Sequence, residues 1–164
     1  MTNELVIDAF ERIKQIVHES VEGLTKDDLM YRPSKSANSI AWLVWHLTRV
    51  QDDHVADLAG REQVWTQGWY DRFSLPFKKE ATGYGQTSEE IASLQASSEL
   101  LLGYYDAVHA ATIKYVSSLP EAHYRMIVDK HWNPPVTLAV RLVSIISDDL
   151  QHAGQAAYVR GLLN

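Results

Sequence analysis

Two histidines and an aspartate carry the clearest chemical signal in this chain. Asp148 and His152 are four residues apart, so a helix presents both on one face, one turn from each other. Such a pair can aim a carboxylate oxygen and an imidazole nitrogen at one ion. His46 lies in a separate helical segment and would complete three ligands from a facing helix. Three nitrogen and oxygen ligands with one position left open describe a divalent metal site for catalysis or ligand binding, not a closed structural one. After His152 come Ala153-Gly154-Gln155-Ala156-Ala157, small enough to let another helix or a ligand approach. A plainer reading uses the same residues. His46, between Trp45 and Leu47, would be a core histidine satisfied by one carboxylate, and Asp148 and Asp149 would pair with Arg49 or Arg141. Spacing also leaves the carboxylate open, because Asp149 is three before His152 and lies nearer the apolar stripe. Asp149-Leu-Gln-His152 is like half of a di-iron Glu-x-x-His motif, but the missing second copy argues against a di-iron site. The chain has no His-Glu-x-x-His and no Gly-rich phosphate loop.

Trp42 and Arg49 stand four before and three after His46 on its face, and Asp53 seven after it. Arg49 could bind a ligand carboxylate or pair with a nearby acid. Trp65, Trp69, Tyr84 and Trp132 could line a pocket mouth or cap the core. His131 could reach that mouth; His54, His109 and His123 fit ordinary surface or core roles. His18 falls on the polar side of the first helix, where solvent is expected. Tyr158 and Arg160 could help hold a ligand, although nothing local makes that specific.

These residues need rigid carriers, and four stretches have helical periodicity. The first spans about 3–22, with Leu5, Ala9, Phe10, Ile13, Ile16 and Val17 on one face, and Gly23 as its stop. The second begins at Asn38 or Ser39, both good N-caps, and ends at Gly60. The third opens with a capping box, Thr87 with Glu90 three on, and continues to Pro120. The fourth runs from about Thr137 to Leu162. Residues 61–86 are aromatic and Gly- and Pro-punctuated, a long connection that lets helices two and three run parallel. Residues 121–136 read as irregular, with 125–128 extended ahead of Pro134-Pro135. Four long helices over residues 1–164 predict a single all-α domain, a four-helix bundle.

Composition narrows the chemistry. With no cysteine, the chain can form no disulfide, cysteine-zinc site or iron–sulfur cluster and has no thiol nucleophile of its own. A net charge of −6 argues against binding a phosphate backbone. No basic, apolar leader opens the sequence and no run approaches a membrane span, so a cytoplasmic location and no membrane partner are expected.

Three ordered segments add a resemblance: Asn38-Ser-Ile-Ala-Trp-Leu-Val-Trp-His46-Leu, Trp132-Asn-Pro-Pro-Val136 and Ser147-Asp-Asp-Leu-Gln-His152-Ala-Gly-Gln155. Together they resemble the DinB-like superfamily, in particular the metal-binding domain of mycothiol-dependent maleylpyruvate isomerase, over essentially the whole chain. That resemblance implies an up-down-down-up four-helix bundle and a divalent metal, zinc or nickel, held by three side chains. His46 and His152 match the helix-two and final-helix histidines. The ligand four before the latter is His in many members and Glu in the isomerase branch; here it is Asp148, one methylene shorter than Glu. Characterised relatives use the metal to activate a low-molecular-weight thiol and add it to an electrophile, which implies a thiol transferase or isomerase with a small-molecule thiol and an electrophile as partners. Trp42, Arg49 and Trp132 are the ligand-pocket candidates, and a homodimer is expected of such bundles. The alternative is a non-catalytic bundle that binds a metal or small ligand in a stress or interaction role.

Overall fold

The computed structural model describes residues 1–163. Four long helices form the bundle: α1 (Thr2–Val21), α3 (Ile40–Ala59), α6 (Ser98–Ser117) and α7 (Leu138–Gly161). Three short helices lie between them: α2 (Lys26–Met30), α4 (Trp69–Phe73) and α5 (Ser88–Ser93). Two short strands, β1 (Ile127–Asp129) and β2 (Val136–Thr137), pair antiparallel before α7. Among the described residues no helix is long and apolar enough to cross a membrane.

Cross-links between helices fix the topology. Arg160 near the end of α7 donates to the Glu22 carbonyl just past α1, so these two run parallel. Asn3 donates to the Leu119 carbonyl, and Ser98 to the carbonyls of Val21 and Leu24, so α6 runs against α1. Arg49 meets Tyr104 and Gln51 meets Thr112, an ascending register that makes α3 and α6 parallel. Arg141 meets His54, and the His46 and His152 rings lie 4.8 Å apart, so α3 and α7 are antiparallel. The order is up-down-down-up.

Local chemistry explains the ends. Ser39, Thr87, Ser97 and Thr137 each accept from the backbone N–H three residues on, satisfying a donor the first helical turn leaves open. The sequence predicts one continuous helix from Thr87 to Pro120; the chain instead breaks at 94–97. Leu94 and Ala96 turn inward, and the Ser97 hydroxyl caps a new helix, a local bond that competes with continuing the old one. Gly103 does not break α6. A Cβ there would lie 2.9 Å from the Trp69 ring, so glycine lets the long connection pack onto the helix. Trp65 is the centre of that packing. It is fully buried, with Trp45, Phe73 and Tyr104 around it and the Arg49 guanidinium 4.9 Å over its ring.

Candidate metal centre

The α3–α7 groove brings His46, Asp148 and His152 together. Each offers one ligand atom, and those atoms lie within 4.8 Å of one another. His152 Nε2 is 3.6 Å from Asp148 Oδ1. The other nitrogen of each imidazole is occupied. His46 Nδ1–H donates to the Thr82 carbonyl at 2.5 Å, and His152 Nδ1–H donates to Gln155 Oε1 at 2.9 Å. Both partners are acceptors only, so in each neutral ring the proton sits on Nδ1 and Nε2 keeps its lone pair. Partners of this kind set the tautomer of metal-binding histidines and orient their rings. Burial pushes the His46 pKa down, and the nearby His152 adds to that, which favours the neutral, ligating form. Asp148 Oδ2 is covered and has no hydrogen-bond partner among the described residues. A divalent ion therefore fits the donor set: two free imidazole nitrogens and a carboxylate with an unused oxygen.

A strap of the long connection builds the wall beside it. Trp42, His46 and Arg49 mark successive turns of α3, and each donates to the strap: Trp42 Nε1 to Gln86 Oε1, His46 to Thr82 and Arg49 Nε to the Ala81 carbonyl. Gly83, at φ +109°, lies under the His46 ring, where a Cβ would sit 2.5 Å from Nδ1. Glycine alone fits that backbone conformation and that approach. Trp42 stacks on His46 at 4.6 Å, and the Tyr84 ring meets His46 edge-on at 5.0 Å. Thr82, Gly83, Gln86 and Gln155 escaped the reading of the sequence. Gln155 had a usable signal, lying three after His152 on its face; the strap contacts had none, because they join residues 32 to 44 positions apart.

Other sequence candidates fall elsewhere. Asp149 faces the bundle core, fully buried and, among the described residues, without a partner for either oxygen; burial raises its carboxyl far above the usual range, with Asp148 adding repulsion. Arg49 is also enclosed. Besides Ala81 it donates to Gln63 at 2.9 Å and to the Tyr104 hydroxyl at 3.3 Å, and Asp52 lies 3.9 Å away. The acid-pairing alternative describes it, with Asp52 rather than Asp148 or Asp149 as the acid. Asp53 accepts from Gln63. Arg141 binds Asp129 at 2.8 Å and His54 Nδ1 at 3.1 Å, so neither arginine neutralises the candidate centre. Trp132 is 66% exposed on the turn between β1 and β2, and His131 there bonds back to Asp129. His109 meets Glu11. His123 and Tyr158 are exposed. His18, expected in solvent, bridges Glu22 and Asp106 of α6.

The family model described as mycothiol S-transferase matches residues 5–164. A crystal structure described as the conserved protein of locus from Enterococcus faecalis superposes with a TM-score of 0.90 at 33% identity, covering 96% of this chain and 94% of that one. No curated protein matches significantly.

Proposed function

The chain belongs to the mycothiol S-transferase family, and from that premise we propose that it is a divalent-metal-dependent transferase that adds a low-molecular-weight thiol to an electrophile. The carrying observation is the donor set itself: His46 and His152 with Nδ1 tied back, and Asp148 beside them. Two imidazoles and one carboxylate are of intermediate hardness, which suits zinc or nickel. A divalent ion held there supplies the charge that lowers the pKa of an incoming thiol and fixes its position. The residues do the rest. The Thr82 and Gln155 acceptors hold each ring's Nδ1 proton and keep both rings aligned. Trp42 and Tyr84 wall the site and limit water around the reacting groups. Asp148 supplies the carboxylate of the donor set, and the thiol proton leaves to solvent as the thiolate forms. A chain without cysteine must take its sulfur nucleophile from a cosubstrate.

The test begins with elemental mass spectrometry on tag-free protein and His152→Ala. About one divalent ion per chain, lost in the variant, is expected for a three-ligand site. Mycothiol, bacillithiol and glutathione are then each offered with a bromoalkyl electrophile, and metal-dependent loss of mycothiol is the expected result. Metal without turnover by any thiol would overturn transfer and favour the non-catalytic metal-binding bundle. No metal after incubation with Zn²⁺ or Ni²⁺ would overturn both.

A further inference from the structure

A second cavity of about 500 Å³ opens on the other side of α3, where the end of that helix and the long connection meet α6. Its volume is that of a small-molecule site. Trp69 and Tyr115 supply aromatic wall, Ala107 and Ala111 on successive turns of α6 leave the floor open, and Arg61 and Lys114 supply positive charge. Their charge is only partly balanced: Arg61 shares one acid with Arg49. Lys114 makes no ion pair among the described residues. Among the described residues Arg61 has one hydrogen bond, from Nη1 to the Glu62 carbonyl, and its nearest acid is Asp52 at 3.8 Å. Asp52 is already committed: it accepts from Val64 N, Trp65 N and the Tyr104 hydroxyl, and Arg49 shares it. Two guanidiniums therefore face one saturated carboxylate. Arg61 Nε and Nη2 are covered and hold no acceptor among the described residues. These two nitrogens form the side-on edge that grips a carboxylate with two parallel bonds. In a chain of net charge −6, a cavity lined by two cations, one of them sharing its only acid with Arg49 and the other without an ion pair among the described residues, is a local exception.

We propose that this cavity binds a small aromatic carboxylate. The carboxylate takes the Arg61 Nε and Nη2 edge after a small turn of that partly exposed side chain, with Lys114 as second cation. The ring lies over Ala107 and Ala111, between Trp69 and Tyr115. Recognition is charge-assisted at one end and apolar at the other, and it is independent of the metal centre in the α3–α7 groove.

Titration calorimetry of the full chain with 2-naphthoate, and with the uncharged 2-naphthamide, tests this. Saturable naphthoate binding is expected, with the amide at least about tenfold weaker because it loses the charge-assisted pair. Arg61→Gln and, separately, Ala111→Leu, which fills the floor from a partly exposed helical position, should each weaken naphthoate about tenfold or more. Lys114→Gln should weaken it less. Metal content should be unchanged in all three. Equal affinity for acid and amide, naphthoate binding untouched by Ala111→Leu, or no binding at millimolar ligand would each overturn the proposal.

Discussion

Asp52 on α3 and the neighbours Asp148 and Asp149 on α7 put carboxylates into the same bundle and treat them in opposite ways. Every direction around Asp52 is filled: two backbone N–H groups, the Tyr104 hydroxyl, and the guanidiniums of Arg49 and Arg61 at 3.9 and 3.8 Å. Around Asp148 and Asp149 three oxygens have no partner among the described residues, and the Tyr105 hydroxyl and His109 Nδ1 add two more open atoms. A buried polar group is normally hydrogen-bonded, and leaving one unpaired is costly. The first region holds the long connection onto α3 and α6, whereas the second leaves its polar atoms without partners among the described residues. Asp52 is structural; Asp148 is poised.

Removing Asp52 should have the largest effect. Asp52→Ala strands a buried guanidinium, two N–H groups and a tyrosine hydroxyl, and should cost roughly 3–5 kcal/mol in urea denaturation of the metal-free protein. Asp148→Ala should cost less than about 1 kcal/mol in the same assay, because Oδ2 has no bond to lose and Oδ1 only a long contact with His152. Equal losses would break the distinction.

Adjacent tyrosines sharpen it. Tyr104 and Tyr105 are both fully buried on α6, but among the described residues only the Tyr104 hydroxyl is bonded, to Asp52 at 3.0 Å and from Arg49 at 3.3 Å. Tyr104→Phe should cost about 1.5–3 kcal/mol, the range for bonds to charged groups. Tyr105→Phe removes a hydroxyl with no partner among the described residues and should be neutral or stabilising. Thermal denaturation of the pair reads the contrast directly.

The glutamines that orient each centre should separate stability from ligand affinity. Gln155→Ala frees the His152 ring and should weaken metal binding about 10–100-fold in chelator competition, with metal-free stability unchanged because Gln155 is exposed. Gln63→Ala, which unties Arg49 from Asp53, should lower stability and leave metal affinity alone. The reverse pattern would mean that the two centres have been assigned the wrong roles.

The sequence made the helices and the poised centre legible for different reasons. Caps at Ser39 and Thr87 and the Phe10, Ile13 and Val17 spacing of α1 are local signals, and each appears where expected, although Leu5 at the start of that face is exposed. His46 and the Asp148–His152 pair could be placed because helix spacing sets which side chains share a face. That spacing left two acids open, and only the packed bundle turns Asp149 inward and Asp148 toward the histidines. The Asp52 knot went unread. Its partners Val64, Trp65 and Tyr104 come from a connection and a helix whose register no local pattern announces. Arg49, which sequence could assign to a ligand, belongs to that knot for the same reason. The break before Ser97 was hidden by a pattern apolar enough to continue as helix.

The smallest expected effect is a pH dependence in the open region. His109 is buried beside Tyr105 with Nδ1 unpartnered among the described residues, and burial lowers its pKa, an effect that the Glu11 contact opposes. In the unfolded chain the imidazole titrates near its ordinary value of about 6.5. Between that value and the lower folded one, the unfolded state binds more protons, so stability falls as pH drops through this window. Above about pH 6.5 the group contributes no slope. His109→Gln should flatten that limb by at most about 1.4 kcal/mol per pH unit, the limit for one proton. Urea midpoints of both proteins from pH 7.5 down to 5 check this, at metal-free conditions so that ligand protonation at the other histidines does not intrude. An unchanged slope would mean that His109 stays protonatable in the folded state through an acceptor at Nδ1. The open region would then be better satisfied than its contrast with Asp52 requires.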